Sequence, residues 1–329
     1  MLIKRRDFIA LLSGAAVASP FVARAQQSAM PVSGFLGGGS PEMFTDQLSK
    51  FRLGLGETGW TEGQTLRVEY RWAQGQFDRL PALAADLITH EVTAIAATGG
   101  SAPAQAAKAA TTKIPIVFTS GDDPVQLGFV AALNHPGGNM TGVSLFTGPL
   151  APKRLQLLRE VVPDAKVIAF LVDPMNPTAE LQQRDVEAAA SALGLKLEVL
   201  KAGTEAEIET AFANLVQQRA QAILVGDSPF FLGGRDKLIA LCALHAIPAI
   251  FQWREYAVAG GLVSYGTSLA AAYRQMGVYI GRVLHGEKPA ELPVLQPSVF
   301  EFVVNLKTAK TQGITIPTSL LAEADEVIE

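Results

Sequence analysis

Short apolar runs rich in β-branched residues alternate along the chain with longer segments in which apolar positions recur at helical spacing. Short apolar runs bounded by polar turns predict buried strands, and the longer amphipathic segments predict covering helices. This alternation is typical of an α/β protein with parallel sheets. The first series predicts strands at 32–36, 66–72, 93–98 and 114–119 and helices at about 42–58, 78–90, 102–111 and 125–133.

The pattern restarts after a glycine- and proline-rich stretch, PGGNMTGVSLFTGPLAP, at 136–152. Two consecutive series of this kind predict two similar Rossmann-like lobes joined by a loop-rich connection, rather than one long sheet. The second series predicts strands at 166–172, 196–201, 221–226 and 247–252 and helices at about 177–193, 204–218, 230–245 and 253–259.

The last section of the chain follows neither series. It contains GLVSYG, a helical segment at 269–285, the proline-spaced KPAELPVLQPSV, the strand FEFVVN and a short helical tail. We interpret it as the chain crossing back between the lobes, so that several hinge segments join them. The predicted domains are residues 31–145 with about 267–297 as lobe 1, and about 146–266 with 298–329 as lobe 2.

The amino terminus reads MLIKRRDFIALLSGAAVASPFVARAQQ. Its charged start, the apolar stretch 8–22 and the triplet Ala-Arg-Ala at 23–25 predict a cleavable export signal over 1–25, cut near Ala25. The pair Arg5-Arg6 favours twin-arginine export, and a general-secretion signal that carries two arginines is the alternative. No cysteine stands at the cleavage point for lipid attachment, so we expect a free periplasmic protein.

Composition and charge narrow the possible partners. The predicted leader holds four of the 27 basic residues and one of the 31 acidic ones, so the remainder carries a net charge of −7. An acidic chain is poorly suited to bind the phosphate backbone of a nucleic acid. No apolar run after the leader reaches the ~20 residues that a membrane-spanning helix needs. We therefore expect no nucleic acid and no stable membrane insertion. Cys242 is the only cysteine, which excludes intramolecular disulfides and multi-thiolate metal sites.

The predicted strands end in loops rich in Gly, Ser, Thr, Asp and Asn. In an open parallel sheet, ligands bind at the carboxyl ends of the strands, where the following helices present unpaired N–H groups. These loops supply the candidate ligand-binding residues Gly38, Ser40, Thr98, Gly100, Ser101, Ser120, Gly121, Asp122 and Asp123 in the first series, and Asp173, Asn176, Asp227 and Ser228 in the second.

Two of these loops carry complementary charge preferences. In TGGSAPAQ, glycines permit a tight turn and the N–H groups at Ser101 suit a carboxylate, although helix capping by Ser101 explains the same residues. In TSGDDP, Asp122 or Asp123 suits an ammonium group, or caps a helix beginning near Pro124.

Three aromatic candidates, Phe230, Trp253 and Tyr265, lie close to such loops and can cover a flat side chain. Together with the charged groups they favour an amino acid, an aromatic one above others, or a related carboxylate.

Motifs for catalysis, cofactors and metals are missing from the sequence. The turn GGGSPE lacks the third glycine of G-x-G-x-x-G, and no G-x-x-x-x-G-K-[ST], G-x-S-x-G or H-E-x-x-H occurs. The four histidines stand alone. We expect no cofactor, no metal and no catalytic residues.

Five segments of the chain carry a family likeness. They are FRLGLGETGWTEGQTLRVEYRWAQGQFDRLPALAADL, ATTKIPIVFTSGDDPVQLGFVAALNHPGGNMTG, KRLQLLREVVPDA, EYAVAGGLVSYG and LPVLQPSVFEFVVNLKTAKTQGITIPTSLLAEADEVIE. In order and spacing the chain resembles the periplasmic substrate-binding proteins of ABC transporters, in the branch that includes the tryptophan/tyrosine-binding type. The chain departs from the family pattern at Asn134-His135, in a connecting loop. There the family usually has an arginine next to the proline that corresponds to Pro136.

The resemblance implies the type I periplasmic-binding fold, with two Rossmann-like lobes joined by three crossings that close on a small solute. It also implies delivery to an ABC permease with a cytoplasmic ATPase. We expect a monomeric, non-catalytic receptor for a small organic solute. An enzyme or a sensory receptor on the same scaffold is the alternative, and the sequence does not identify the solute.

Overall fold

The computed structural model describes residues 30–296 and 300–329. The predicted export signal, including Arg5-Arg6 and the cleavage site near Ala25, lies outside these residues. The first part of the described chain contains β1 (Val32–Gly37), α1 (Thr45–Glu57), β2 (Arg67–Trp72), α2 (Leu80–Thr89), β3 (Ala94–Thr98), α3 (Ser101–Ala110), β4 (Ile116–Ser120) and β5 (Met140–Ser144).

The five strands of this part form one parallel sheet in the order β2-β1-β3-β4-β5. Every residue of β3, β4 and β5 is buried, because elements pack on both faces of the sheet. In a parallel sheet with this order, the loops after β1, β3 and β4 open at one edge, where the candidate residues of the first series lie.

The second part continues with a helix and a second βα series. Its elements are α4 (Ala151–Val161), β6 (Val167–Val172), α5 (Ala179–Ala192), β7 (Lys196–Lys201), α6 (Glu205–Gln217), β8 (Ala222–Val225), α7 (Pro229–Gly233), α8 (Arg235–Leu244), β9 (Ala249–Phe251), α9 (Arg254–Val258), β10 (Val263–Thr267), α10 (Leu269–Leu284), β11 (Phe300–Asn305), α11 (Leu306–Thr311), α12 (Thr318–Glu323) and β12 (Glu326–Ile328).

Strands β6 to β12 form a seven-stranded sheet in the order β12-β11-β10-β9-β8-β6-β7. All its pairs are parallel except β10 with β11. The two sheets with their helices are Rossmann-like lobes, which confirms the predicted α/β class and the type I periplasmic-binding fold.

The chain passes between the two sheets more than once. It leaves the first sheet after β5 and enters the second lobe at α4. After β10 it returns to the first lobe, because α10 packs along α1 and against β3, β4 and β5. Leu295 still pairs with Val143 of β5, whereas β11 lies in the second sheet. The chain therefore passes between the two lobes a third time between Leu295 and Phe300.

Two local predictions were wrong. Residues 125–133 form turns rather than a helix: Gly128 has a positive φ of 67°, and the N–H groups of Phe129 and Val130 both donate to the Pro124 carbonyl. No helix therefore begins near Pro124. The stretch 136–152, predicted to be rich in loops, contains β5. The sequence pattern did not reveal this strand, because MTGVS is short and too polar to form the apolar run typical of a buried strand.

None of the helices in residues 30–296 and 300–329 combines the length and apolar character needed to cross a membrane.

Candidate functional site

A cavity lies where the carboxyl ends of the two sheets face each other, with about 450 Å³ of space between its walls when the solvent at its mouth is included. Loops after β3, β4, β6, β8 and β9 contribute to its wall, together with α10 and the segment before α1. Its polar lining consists of Gly99, Gly100, Ser101, Thr119, Gly121, Asp122, Asn176 and Asp227, and its apolar or aromatic lining of Phe44, Leu145, Pro229, Leu232, Trp253, Leu269 and Tyr273.

The amino terminus of α3 forms one side of the cavity. Gly99 and Gly100 precede it with φ angles of 81° and 97°, a backbone conformation that favours glycine. Among the described residues, no side chain caps this helix. The Ser101 hydroxyl instead donates to Asp122 Oδ2 at 3.1 Å, so the capping interpretation of Ser101 was wrong. The unpaired N–H groups and the helix dipole make this wall attractive to an anion.

Asp122 follows β4 and is only 4% exposed. Its Oδ2 accepts the Ser101 hydroxyl, and its Oδ1 has no hydrogen-bond partner within the described part of the chain. Burial, and secondarily the nearby charge of Asp227, raise the pKa of Asp122 to about 6. Asp122 is therefore a buried carboxyl group that loses its proton less readily than an exposed aspartate does.

Asp227 follows β8 and faces the cavity from the opposite lobe. The Thr147 hydroxyl donates to its Oδ2, and the Asn176 side chain donates to its backbone carbonyl at 2.7 Å. Burial raises the pKa of Asp227, while the Thr147 hydrogen bond and the positive charge of Arg154 act in the opposite direction. Two carboxyl groups, one from each lobe, thus meet at one cavity.

The remaining wall is aromatic and aliphatic. The ring centroids of Phe44 and Tyr273 are 5.9 Å apart. The Thr98 hydroxyl donates to the Tyr273 hydroxyl at 2.6 Å, which ties α10 to the end of β3. Trp253 is buried, and its indole N–H has no acceptor among the residues that the structure describes. This wall suits a flat apolar side chain.

The two lobes touch each other around the cavity. A Cβ added to Gly121 of lobe 1 would overlap Asp227 Oδ2 and Thr147 Oγ1. A Cβ on Gly100 would lie 3.0 Å from the Pro229 ring. The cleft is therefore closed, and Gly121 permits the closest of these approaches because it has no side chain.

The candidate residues from the sequence fall into three groups. Those that line the cavity are Gly100, Ser101, Gly121, Asp122, Asn176, Asp227 and Trp253. Those that lie behind its wall are Thr98 and Ser120, which hydrogen-bond to the lining residues Thr119 and Ser101, and Asp173 and Ser228, which hydrogen-bond to each other. Those outside it are Gly38, Ser40, Asp123, Phe230 and Tyr265.

The residues outside the cavity have other surroundings. Gly38 and Phe230 line a separate groove of about 630 Å³. Asp123 accepts from the Val125 N–H at 2.8 Å and so stabilises the turn after β4, not a helix. Tyr265 is not part of the cavity lining and packs against Phe302 of β11.

Sequence reasoning missed several lining residues, listed here: Gly99, Thr119, Leu145, Pro229, Leu232, Leu269 and Tyr273. Gly99 and Thr119 stand within the candidate loops. Tyr273 lies on α10, whose return to the first lobe has no local signal in the sequence.

No cluster of three or more His, Cys, Asp or Glu side chains that could hold a metal ion occurs in the ranges 30–296 and 300–329. Cys242 is buried, and this burial raises the pKa of its thiol to about 12.

Comparison with known proteins places the chain in a family. The model of the family described as "ABC transporter substrate binding protein" matches residues 42–328. A tyrosine-binding protein of Clostridioides difficile is 24% identical over 260 residues, covering 79% of this chain and 74% of that protein.

Two solved structures share the fold. One is an ABC domain in complex with L-Trp from Streptococcus pneumonia, with a TM-score of 0.80 and 25% identity over 91% of this chain and 99% of that one. The other is a conserved domain protein from Vibrio cholerae, with a TM-score of 0.82, 24% identity and the same coverage. With two Rossmann-like lobes closed on one cavity and a family match over most of its length, the chain belongs to the ABC transporter substrate binding proteins.

Proposed function

We propose that this protein binds an aromatic L-amino acid between its lobes and delivers it to an ABC importer. The observation that carries the proposal is that two carboxyl groups, Asp122 and Asp227, line the same cavity as the uncapped amino terminus of α3. An amino acid carries both complementary charges on one carbon. Its ammonium group would be attracted to these carboxyl groups, and its carboxylate would accept from the helix N–H groups.

The apolar wall determines the class of side chain. Phe44, Trp253 and Tyr273 contribute three aromatic residues to the cavity lining, and leucines also line it. A flat ring stacks favourably on such surfaces, whereas a sugar would leave its hydroxyls without partners there. The names of two relatives, one tyrosine-binding and one solved with L-Trp, support the same side-chain class.

Charge in the closed cleft explains why ligand and closure are coupled. Without a ligand, closing the lobes brings two buried carboxyl groups together, which disfavours having both ionised. An ammonium group in the cavity would offset part of that cost. The ligand therefore shifts the population toward the closed form, which is the form that a transporter must distinguish. Micromolar affinity requires about −8 kcal/mol, which charge-assisted hydrogen bonds and one buried aromatic ring can supply.

We also propose periplasmic location after export by the twin-arginine route, with cleavage near Ala25. In this proposal the protein is a monomeric receptor without catalytic activity. Its lobes meet near residues 145, 267 and 297. The family match supports the location and the transporter partner.

The proposal is tested by identifying what co-purifies with the protein. Mass spectrometry of the denatured extract is expected to find tyrosine, tryptophan or phenylalanine in near-stoichiometric amount. An extract in which the bound solute lacks an amino group would contradict the proposal. Asp122→Asn protein, purified in parallel, is the matched control and is expected to carry much less of the solute.

A further inference from the structure

Arg154 on α4 is fully buried, which is unusual for an arginine. Its Nη2 donates to the Thr147 carbonyl at 2.8 Å, and this is the hydrogen bond that fixes it. Its Nε and Nη1 have no partner in the described part of the chain. A buried cation with incomplete hydrogen bonding costs stability, so packing alone does not explain it.

Thr147 connects this arginine to the cavity. Its backbone carbonyl accepts from Arg154, while its hydroxyl donates to Asp227 Oδ2. Thr147 lies in the segment between β5 and α4, where the chain crosses from one lobe to the other. One residue of the hinge therefore stands between the buried guanidinium and the buried carboxylate.

We propose that Arg154 is a positioning residue for the ligand: its charge keeps Asp227 ionised, and Thr147 holds that carboxylate toward the cavity. Arg154 and Asp227 then form an internally neutral pair. Asp122 supplies the net negative charge that the ligand's ammonium group balances. The assignment of the ammonium group rests on the proposed function; the coupling of Arg154 to Asp227 does not.

Electrostatic surroundings support this division of roles. Burial lowers the pKa of Arg154 to about 10, so that it stays charged at neutral pH, and Asp227 contributes in the opposite direction. The other ionisable groups near the pair are Asp122 after β4, Tyr256 on α9 and Tyr265 on β10. Tyrosine hydroxyls do not titrate between about pH 4 and 8, so the carboxyl groups account for changes in that range.

The first experiment needs no ligand. Urea unfolding of Arg154→Met, Asp227→Asn and the double variant is measured between pH 5 and 8. We expect the loss of stability in Arg154→Met to grow as the pH rises, because the buried Asp227 carboxylate loses its counter-charge. In the Asp227→Asn background that pH dependence should disappear. A loss that is equal at every pH and in both backgrounds would mean a packing role and would overturn the inference.

The second experiment uses L-tryptophan as the probe. In Arg154→Met, affinity at pH 7 is expected to fall by about tenfold or more, and the pH at which binding is half lost to rise by about 1–3 units. Arg154→Lys keeps the charge and should keep the wild-type pH profile. An unchanged profile in Arg154→Met would contradict the inference even where wild-type binding supports the proposed function.

Two further outcomes remain decisive. If the wild-type protein binds no aromatic amino acid, the proposed function fails while the unfolding experiment still decides the coupling. If Arg154→Met does not fold, the double variant decides: recovery of folded protein with Asp227→Asn supports the pair, and continued failure to fold overturns it.

Discussion

Gly121 of the first lobe lies directly against Asp227 of the second, so closely that a Cβ on Gly121 would overlap the carboxylate. The contact joins the loop after β4 to the loop after β8, so it holds the two lobes close together at the cavity. The φ angle of Gly121 is not positive, so the lack of space, not backbone strain, is what makes a side chain costly here.

Gly121→Ala is therefore expected to hinder closure. Forcing a methyl group into a packed contact costs about 1–3 kcal/mol, which corresponds to about 5- to 150-fold weaker binding. Calorimetric titration measures the affinity, and solution scattering measures the decrease in radius of gyration on ligand addition. Gly138→Ala is the matched control because no atom lies within 4 Å of a Cβ at Gly138. Equal affinities of the two variants would contradict the closed-cleft account.

Asp122→Asn and Asp123→Asn make a second matched pair. The two residues are adjacent in sequence, but Asp122 lines the cavity and Asp123 stabilises a turn outside it. Losing a charge-assisted hydrogen bond costs about 1.5–3 kcal/mol, so Asp122→Asn should weaken amino acid binding by about ten- to a hundredfold. Asp123→Asn should change it less than about twofold. The reverse order in a calorimetric titration would show that the ammonium site is misassigned.

Binding should also release a proton in mildly acidic solution. Burial in the closed cleft raises the pKa of Asp122 to about 6, whereas an ammonium group beside it favours the charged form. Affinity is therefore expected to rise between about pH 4 and 6 and to level off above pH 7. Calorimetry in buffers of different ionisation enthalpy measures the released proton. Release that persists in Asp122→Asn would assign the effect to another group.

The same raised pKa predicts how the stability of the folded, closed protein depends on pH. The folded state holds the Asp122 proton up to about pH 6, while the unfolded chain loses it near 3.8. The folded state thus binds more protons over that interval, and the free energy of unfolding should fall as the pH rises through it. Urea unfolding of wild type and Asp122→Asn checks this, with the slope expected to be shallower in the variant.

Export is predicted from residues outside the described ranges. Twin-arginine recognition distinguishes guanidinium from ammonium groups, so Arg5→Lys with Arg6→Lys should leave the precursor in the cytoplasm. Cell fractionation measures the distribution. A normal periplasmic yield of the double variant would instead indicate the general-secretion route.

The fold was predictable because strands such as β3 and β6 are continuous apolar runs between helices of regular period. The site was predictable only in part. Loops at the carboxyl ends of strands identify Ser101, Asp122 and Asp227, since parallel sheets place those ends together. Which of two adjacent aspartates faces the cavity depends on one turn, and neither composition nor spacing encodes it.

The parts of the site that the sequence did not reveal depend on contacts between residues far apart in the chain. Tyr273 reaches the cavity through α10, and its partner Thr98 is 175 residues away in the chain. Arg154 looks like an ordinary charged position in KRLQLLREV, yet it is buried because α4 packs against β8 and β9. Sequence periodicity predicts which face of a helix is buried. It does not predict which charged side chain is buried together with that face.

The central claim is that the cavity recognises both charges of an aromatic amino acid. The most direct test is calorimetric titration of protein stripped of its solute by unfolding and refolding. The probes are L-tyrosine, L-tryptophan and L-phenylalanine, compared with tryptamine, which lacks the carboxylate, and indole-3-propionate, which lacks the ammonium group. The account predicts one site that binds at least one of the three amino acids with about micromolar affinity or better, and both truncated analogues about tenfold or more weakly. Absence of binding by all three amino acids, or indole-3-propionate binding as tightly as L-tryptophan, would contradict it.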